Sequence, residues 1–359
     1  MVPGDIRSRG GGPESLATPP KLQVGDRVAL VSPSWAGAGV FPLVHERGVR
    51  VLVDTLHLEP VEYPTTRQID ASAEERARDV NAAFADPSVK AVLSVIGGSD
   101  QLTVLPHLDA SLISANPKPF FGYSDNTNLL NYLWNVGVVG YHGGSTLVHL
   151  ARPGGVHPVF LQSLRRALFT NETALIEPVS QFTDLQPRWE DPSTLDEEVE
   201  TTPERGWHWH NAHRVVTGRT WGGNLEILHW NLAANRWIQP NETYRGCVLL
   251  LETSEEMPSA DEVYIMLRNA GERGLLSEFA AVVVAKPKAW HPHAPLDEIA
   301  RETYRTQQRA AILRALGQYN ADALVVFGPD FGHTDPQYIV PYGGWMTVDG
   351  PARTISVTY

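Results

Sequence analysis

The chain has 359 residues, 42% of them hydrophobic and 19% charged, which excludes a disordered polyelectrolyte and supplies a core for two domains or one large one. With 29 Lys+Arg against 41 Asp+Glu the formal net charge is −12, and there is no basic stripe of the kind a nucleic-acid polymer demands. No apolar run approaches the ~20 residues that span a bilayer, and the single cysteine, Cys247, excludes an intramolecular disulfide and any Cys-rich zinc site.

Residues 1–21 are rich in Gly, Pro and Ser and hold no apolar core of a secretory signal, so they read as a flexible arm. A reduced, cytoplasmic setting is expected, in keeping with the lone thiol. The run Arg27-Val28-Ala29-Leu30-Val31-Ser32, closed by Pro33, predicts a buried strand. A helix is expected over 42–56. Ser72-Ala73-Glu74-Glu75 has the spacing of a capping box and opens a helix to about residue 84. A second continuous apolar strand, 91–96, stops at Gly97-Gly98. A third enters at Lys118-Pro119-Phe120-Phe121-Gly122, and Leu129, Leu130, Leu133 and Trp134 follow at helical spacing. Apolar strands alternating with helices predict a parallel sheet covered on both faces.

Residues 177–213 are polar and break this rhythm; they carry Trp189, Trp207 and Trp209 and read as a linker with an aromatic loop. Strands resume at 215–221, 247–252, 280–285, 323–327 and 354–358. Helices are expected at 224–234, 260–270 and 296–316, the middle one opened by a second capping box, Ser259-Ala260-Asp261-Glu262. The expected fold is α/β: an N-terminal parallel-sheet α/β domain (22–176) and a C-terminal α/β domain (214–359), with the active site at their interface.

Ser124 stands where a buried strand gives way to a helix. Two readings are open: an N-cap holding the helix end, or a nucleophile on a tight turn, facing the free N–H groups of the helix start. The G-x-S-x-G pattern is incomplete, because residue 126 is Asn. A serine nucleophile needs a base and a group to orient it. His333 lies on a Gly-rich loop after an apolar strand, and Glu252 ends another, where a carboxylate is costly unless something uses it. Gly98 and Asp125 N–H groups could form a two-donor oxyanion hole. Two other classes compete. His208, His210 and His213, or His291 and His293, could hold zinc in a metal-dependent hydrolase. The cleft could also serve a non-catalytic binding protein.

Gly122-Tyr123-Ser124-Asp125, Gly222-Gly223-Asn224-Leu225, Leu251-Glu252-Thr253 and Gly332-His333-Thr334, with Ser32-Pro33-Ser34 and Gly97-Gly98 ahead of them, resemble in order the motifs of the LD-carboxypeptidase and microcin C immunity peptidase family. The resemblance runs from about residue 22 to the C-terminus. It implies a cytoplasmic, often homodimeric serine peptidase with no metal or other cofactor, with Ser124 as nucleophile, His333 as base, Glu252 as its orienter, and Gly98 and Asp125 as oxyanion donors. It also implies a small substrate, not a nucleic-acid polymer or a membrane. One branch of the family trims D-alanine from muropeptide tetrapeptides; the other cleaves peptidyl- or aminoacyl-nucleotides and carries a longer, tryptophan-bearing linker. Trp189, Trp207 and Trp209 favour the second, since an indole stacked on a base is worth ~1–3 kcal/mol. Asn224 is expected to position substrate.

Overall fold

The computed structural model describes residues 16–185, 188–290 and 296–359. The apolar strand Arg27–Val31 pairs in parallel with Glu59–Glu62 on one side and Val89–Ser94 on the other. Phe120–Gly122 and Gly140–His142 extend the sheet, also in parallel. Its sixth strand, Val340–Tyr342, comes from the far end of the chain and runs antiparallel to Gly140–His142. Strands buried along their length need cover on both faces, and helices Pro42–Asp54, Ala73–Ala85 and Thr127–Asn135 connect and flank them. Both capping boxes form: Ser72 with Glu75 and Ser259 with Glu262 exchange side-chain and backbone hydrogen bonds.

The second sheet has eight strands. Val215–Asn224, Val248–Glu252, Ala281–Val284 and Leu324–Phe327 run parallel in that order. Antiparallel strands complete it: Trp345–Asp349, Thr354–Thr358 and Thr173–Ile176 on one flank, His208–His210 on the other. The molecule is thus mixed α/β with parallel strands in two domains, and the halves exchange strands: Thr173–Ile176 joins the second sheet and Val340–Tyr342 the first.

Three features depart from the sequence reading. Residues 16–21, assigned to a flexible arm, are docked: Ala17 N–H donates to Gly137 O (2.8 Å), Val139 N–H donates to Ala17 O (2.9 Å), and Leu16 packs into the core. His208–His210, read as loop, is an edge strand, because Leu324–Phe327 offers it a free row of backbone groups. Helix Pro158–Phe169, opened by Pro at its first turn, and the three-residue strands Gly140–His142 and Val340–Tyr342 went unseen; the strands are too short for any period to register.

The helix that follows Ser124 is bolted to the second half by its polar side chains. Thr127 Oγ1 accepts from Asn224 N–H (3.1 Å), Asn128 Oδ1 from Asn231 Nδ2 (2.9 Å), and Asn131 Oδ1 from Trp221 Nε1 (3.0 Å), while Asn131 Nδ2 donates to Trp237 O (2.8 Å). Trp221 is fully buried, its ring stacked 5.8 Å from that of Phe279. Trp221→Phe keeps most of the packing and leaves the buried Asn131 Oδ1 only the long bond from Asn135 Nδ2 (3.4 Å). We expect it to lower stability by about 1–3 kcal/mol in chemical denaturation, with an unchanged far-ultraviolet circular dichroism spectrum.

Candidate active site

Strand Phe120–Gly122 ends at Tyr123, and the chain turns sharply through Ser124, whose φ is 61°. A short 3₁₀ turn, Ser124–Asn126, then feeds helix Thr127–Asn135. Left-handed backbone at a non-glycine residue costs about 1–3 kcal/mol and gathers at functional sites. The capping reading of Ser124 fails: no side chain caps either the short turn or the helix. Gly97 lies against the serine, so close that a Cβ there would stand 3.0 Å from Ser124 Oγ. The backbone N–H groups of Gly98 and Asp125 find no acceptor among the described residues. The Asp125 carboxylate points inward, 1% exposed, accepting from Gln101 N–H (3.0 Å), Asn128 Nδ2 (2.8 Å) and the Ser34 hydroxyl. Its contribution to the turn is therefore its backbone.

His333 and Glu252 meet. His333 Nδ1 stands 2.5 Å from Glu252 Oε2, with the imidazole side chain 5% exposed and the carboxylate fully buried. A second carboxylate, Glu255, sits 3.4 Å from His333 Nε2, and the Tyr123 ring stacks at a tilt, 4.9 Å from the imidazole. Burial works to lower the pKa of His333, but the charge and hydrogen bond of Glu252, helped by Glu255, outweigh it and hold the pKa above its ordinary value. Behind the pair lies His142, its Nε2 3.9 Å from Glu252 Oε1; burial drives its pKa down to about 4.

Ser124 and His333 line one cavity of about 480 Å³, with Gly97, Gly98, Tyr123, His149 and Trp35 among its walls. Of the three linker tryptophans only Trp189 reaches it, packed on Phe41 at 5.4 Å between ring centres. Trp207 and Trp209 are not brought there. Trp209 lies on the edge strand opposite Val326, and both indoles pack on the second domain's core, Trp207 covering Gly328. Asn224 is beside Glu252 in the sheet register but outside the cavity wall; its Oδ1 accepts from Ile227 N–H (3.0 Å) and caps helix Leu225–Ala234. Glu255, His149, Trp35 and Lys288, all on the cavity wall, escaped the sequence reading because no motif marks them. Only Glu255, three residues past a strand-end Glu, offered a signal. Among the described residues no three His, Cys, Asp or Glu side chains are grouped to hold a metal ion; His291 and His293 lie outside the described residues.

A strained serine and a carboxylate-backed imidazole on one cavity make an arrangement suited to acyl transfer through a serine nucleophile. The comparisons agree with that class. Residues 28–143 match the LD-carboxypeptidase N-terminal domain and residues 217–348 the LD-carboxypeptidase C-terminal domain. A putative carboxypeptidase of Streptomyces coelicolor is 32% identical over 363 residues, covering 94% of this chain and 97% of that one. The microcin C7 self-immunity protein MccF of Escherichia coli is 25% identical over 290 residues, 79% and 78% of the two chains. A probable murein peptide carboxypeptidase of Bacillus subtilis is 26% identical over 284 residues, 78% and 75%. The solved structure of MccF in complex with glutamyl sulfamoyl guanosine shares the fold, with a TM-score of 0.81 at 22% identity over 96% of this chain and 98% of that one. The chain belongs to the LD-carboxypeptidase family of serine carboxypeptidases. Among the described residues no helix is long and apolar enough to cross a membrane.

The two carboxylates on His333 yield a pH prediction. A base must be neutral, so if His333 is the base, activity is expected to rise with pH through its raised pKa. Glu255→Gln removes one of the charges that raise it. The acid limb of kcat/KM is expected to move to lower pH in that variant, read from a pH–rate profile; an unmoved limb means that Glu255 does not act on the base.

Proposed function

We propose that the chain hydrolyses an amide bond through Ser124, His333 and Glu252. The 2.5 Å contact between His333 Nδ1 and Glu252 Oε2 carries this reading, because it leaves Nε2 as the nitrogen that faces the cavity. Ser124 Oγ attacks the scissile carbonyl while His333 Nε2 takes its proton, and Glu252 holds the ring and balances the imidazolium. The oxyanion forms against the N–H groups of Gly98 and Asp125, each worth ~2.7–4 kcal/mol by analogy with other oxyanion holes. The C–N bond then breaks as Nε2 returns the proton to the leaving nitrogen. Water, activated by the same nitrogen, releases the acyl group from Ser124.

Within the family the reading we favour is cleavage of aminoacyl- or peptidyl-nucleotides. Its support is an aromatic wall of Trp35 and Trp189 on the cavity, a surface on which a nucleobase can stack, together with solved MccF structures that hold sulfamoyl nucleosides.

Ser124→Ala is expected to lower turnover by about 10⁴-fold or more without changing the melting temperature by more than a few degrees. The branch is decided by comparing kcat/KM on an aminoacyl sulfamoyl adenosine and on an L,D-linked muropeptide tetrapeptide. Preference for the tetrapeptide would overturn the nucleotide assignment and leave the Ser124 reading intact.

A further inference from the structure

Lys286 and Lys288 leave the strand Ala281–Val284 two residues apart and meet opposite fates. Lys286 is neutralised: its Nζ donates to Asp330 Oδ1 (2.8 Å) and to Glu204, and it lies over the Phe182 ring. Lys288 is equally buried, 7% exposed, yet among the described residues it has no hydrogen bond and no ion pair. It lines the cavity of Ser124 and His333.

The other cations on that wall are spent or solvated. Arg152 is held by Asp335 (2.6 Å) and by the carbonyls of Pro153 and Gly155, and Arg188 is exposed. The carboxylates whose charge Lys288 feels, Glu255, Asp184 and Asp335, are each engaged elsewhere. Glu255 is at His333 Nε2, Asp184 holds Arg305 and the Ala289 N–H, and Asp335 holds Arg152. Burial lowers the Lys288 pKa, and an ammonium largely withdrawn from water without a partner is costly, its remaining exposure being to the cavity. An anion that enters the cavity supplies what the fold withholds.

We propose that Lys288 is the receptor for the anionic group on the leaving side of the scissile amide, and so a determinant of carboxypeptidase specificity. This rests on the amide-hydrolase reading above. A peptide cut at its last bond carries a carboxylate two bonds beyond the scissile nitrogen, and an acyl sulfamate ionises at that nitrogen, with its charge shared onto the neighbouring sulfonyl oxygens. A neutral group there leaves the ammonium buried and unsatisfied, and a site built for a polar partner discriminates strongly against analogues that lack it.

The test uses the full chain, an L,D-linked tetrapeptide with a free C-terminus, its C-terminal carboxamide, and an aminoacyl sulfamoyl adenosine. Lys288→Met is expected to lower kcat/KM on the anionic substrate that the wild type cleaves by about 10- to 100-fold, the worth of one hydrogen bond to a charged group. Carboxamide turnover should stay within about twofold, and Lys288→Arg should recover much of the loss. Which anion the wild type cleaves tells a peptide carboxylate from a sulfamate. The melting temperature of Lys288→Met should not fall, since a buried unpaired charge has been removed. Equal losses on free acid and carboxamide, or no loss on either anion, overturn the assignment. Failure of the parent reading looks different: Ser124→Ala would retain turnover. The calorimetric affinity of Ser124→Ala for the free acid, with and without Lys288→Met, still reads Lys288 directly, and equal affinities reject it.

Discussion

Glu252 ends a strand whose five residues are all buried, and a lone carboxylate in such a place costs several kcal/mol. The imidazole of His333 relieves that cost, and the shape of the site follows from how it gets there. The loop after Leu324–Phe327 must close onto the end of a strand two places away in the sheet. Gly332 permits it, since a Cβ at that position would stand 3.0 Å from both Glu252 Cβ and Ala285 Cβ. Gln337 locks the loop against the first domain: its Nε2 donates to Gly332 O (2.8 Å) and its Oε1 accepts from Gly144 N–H (2.8 Å). One buried ion pair in the second half thus fixes an imidazole over the loops of the first.

The serine side is held by the opposite device, an enforced strain. The left-handed turn at Ser124 persists because its neighbours are tied on all sides. Asp125 is bound by three donors, Asn126 Oδ1 accepts from Gln101 Nε2 (2.8 Å), and Gln101 Oε1 accepts from Leu129 N–H (2.9 Å). These bonds consume the polar side chains of the turn and leave Ser124 on the cavity wall, with the N–H groups of Gly98 and Asp125 given no acceptor among the described residues. The network also explains why Asp125, acidic and next to the serine, is buried away from the cavity wall. Burial raises its pKa even against three donors.

The alternation of apolar strands and helices, both capping boxes and the strand-end positions of Glu252 and His333 were legible because each is a local pattern with a local cause. Ser124 was legible as a residue at a strand-to-helix turn, but that it does not cap the helix was not; its left-handed φ goes with contacts to Asp125 from Gln101 and Ser34, distant in sequence. Trp189, Trp207 and Trp209 looked alike in a polar stretch. Only the pairing of His208–His210 with Leu324–Phe327, a long-range event with no sequence signature, separates the two indoles on the core from the one on the cavity. Lys286 and Lys288 pose the same difficulty: two lysines one residue apart become an internal ion pair and a cavity wall, and nothing local in Lys286-Pro287-Lys288 tells them apart.

The buried histidines set stability and a neutral His333 imidazole against each other along the pH axis. His333 titrates above its unfolded value of about 6.5, so its pairing contributes fully below that pH and is lost as pH rises through its folded pKa. His142 and His149 are opposite: burial lowers their pKa to about 4 and about 3. Below pH 6.5 the unfolded chain binds protons that these two cannot. Each then lowers stability by about 1.4 kcal/mol per pH unit until its folded pKa is reached. Two imidazoles against one make acid the destabilising direction. Seen through these three groups alone, the fold is most stable near pH 6.5, and the His333 imidazole gains its neutral form only as pH rises past that maximum and its contribution to stability is lost. A base role for His333 would therefore draw on the pH range where the ion pair with Glu252 gives up its charge and its stabilisation, while the two neutral imidazoles behind and beside it cost the fold nothing there.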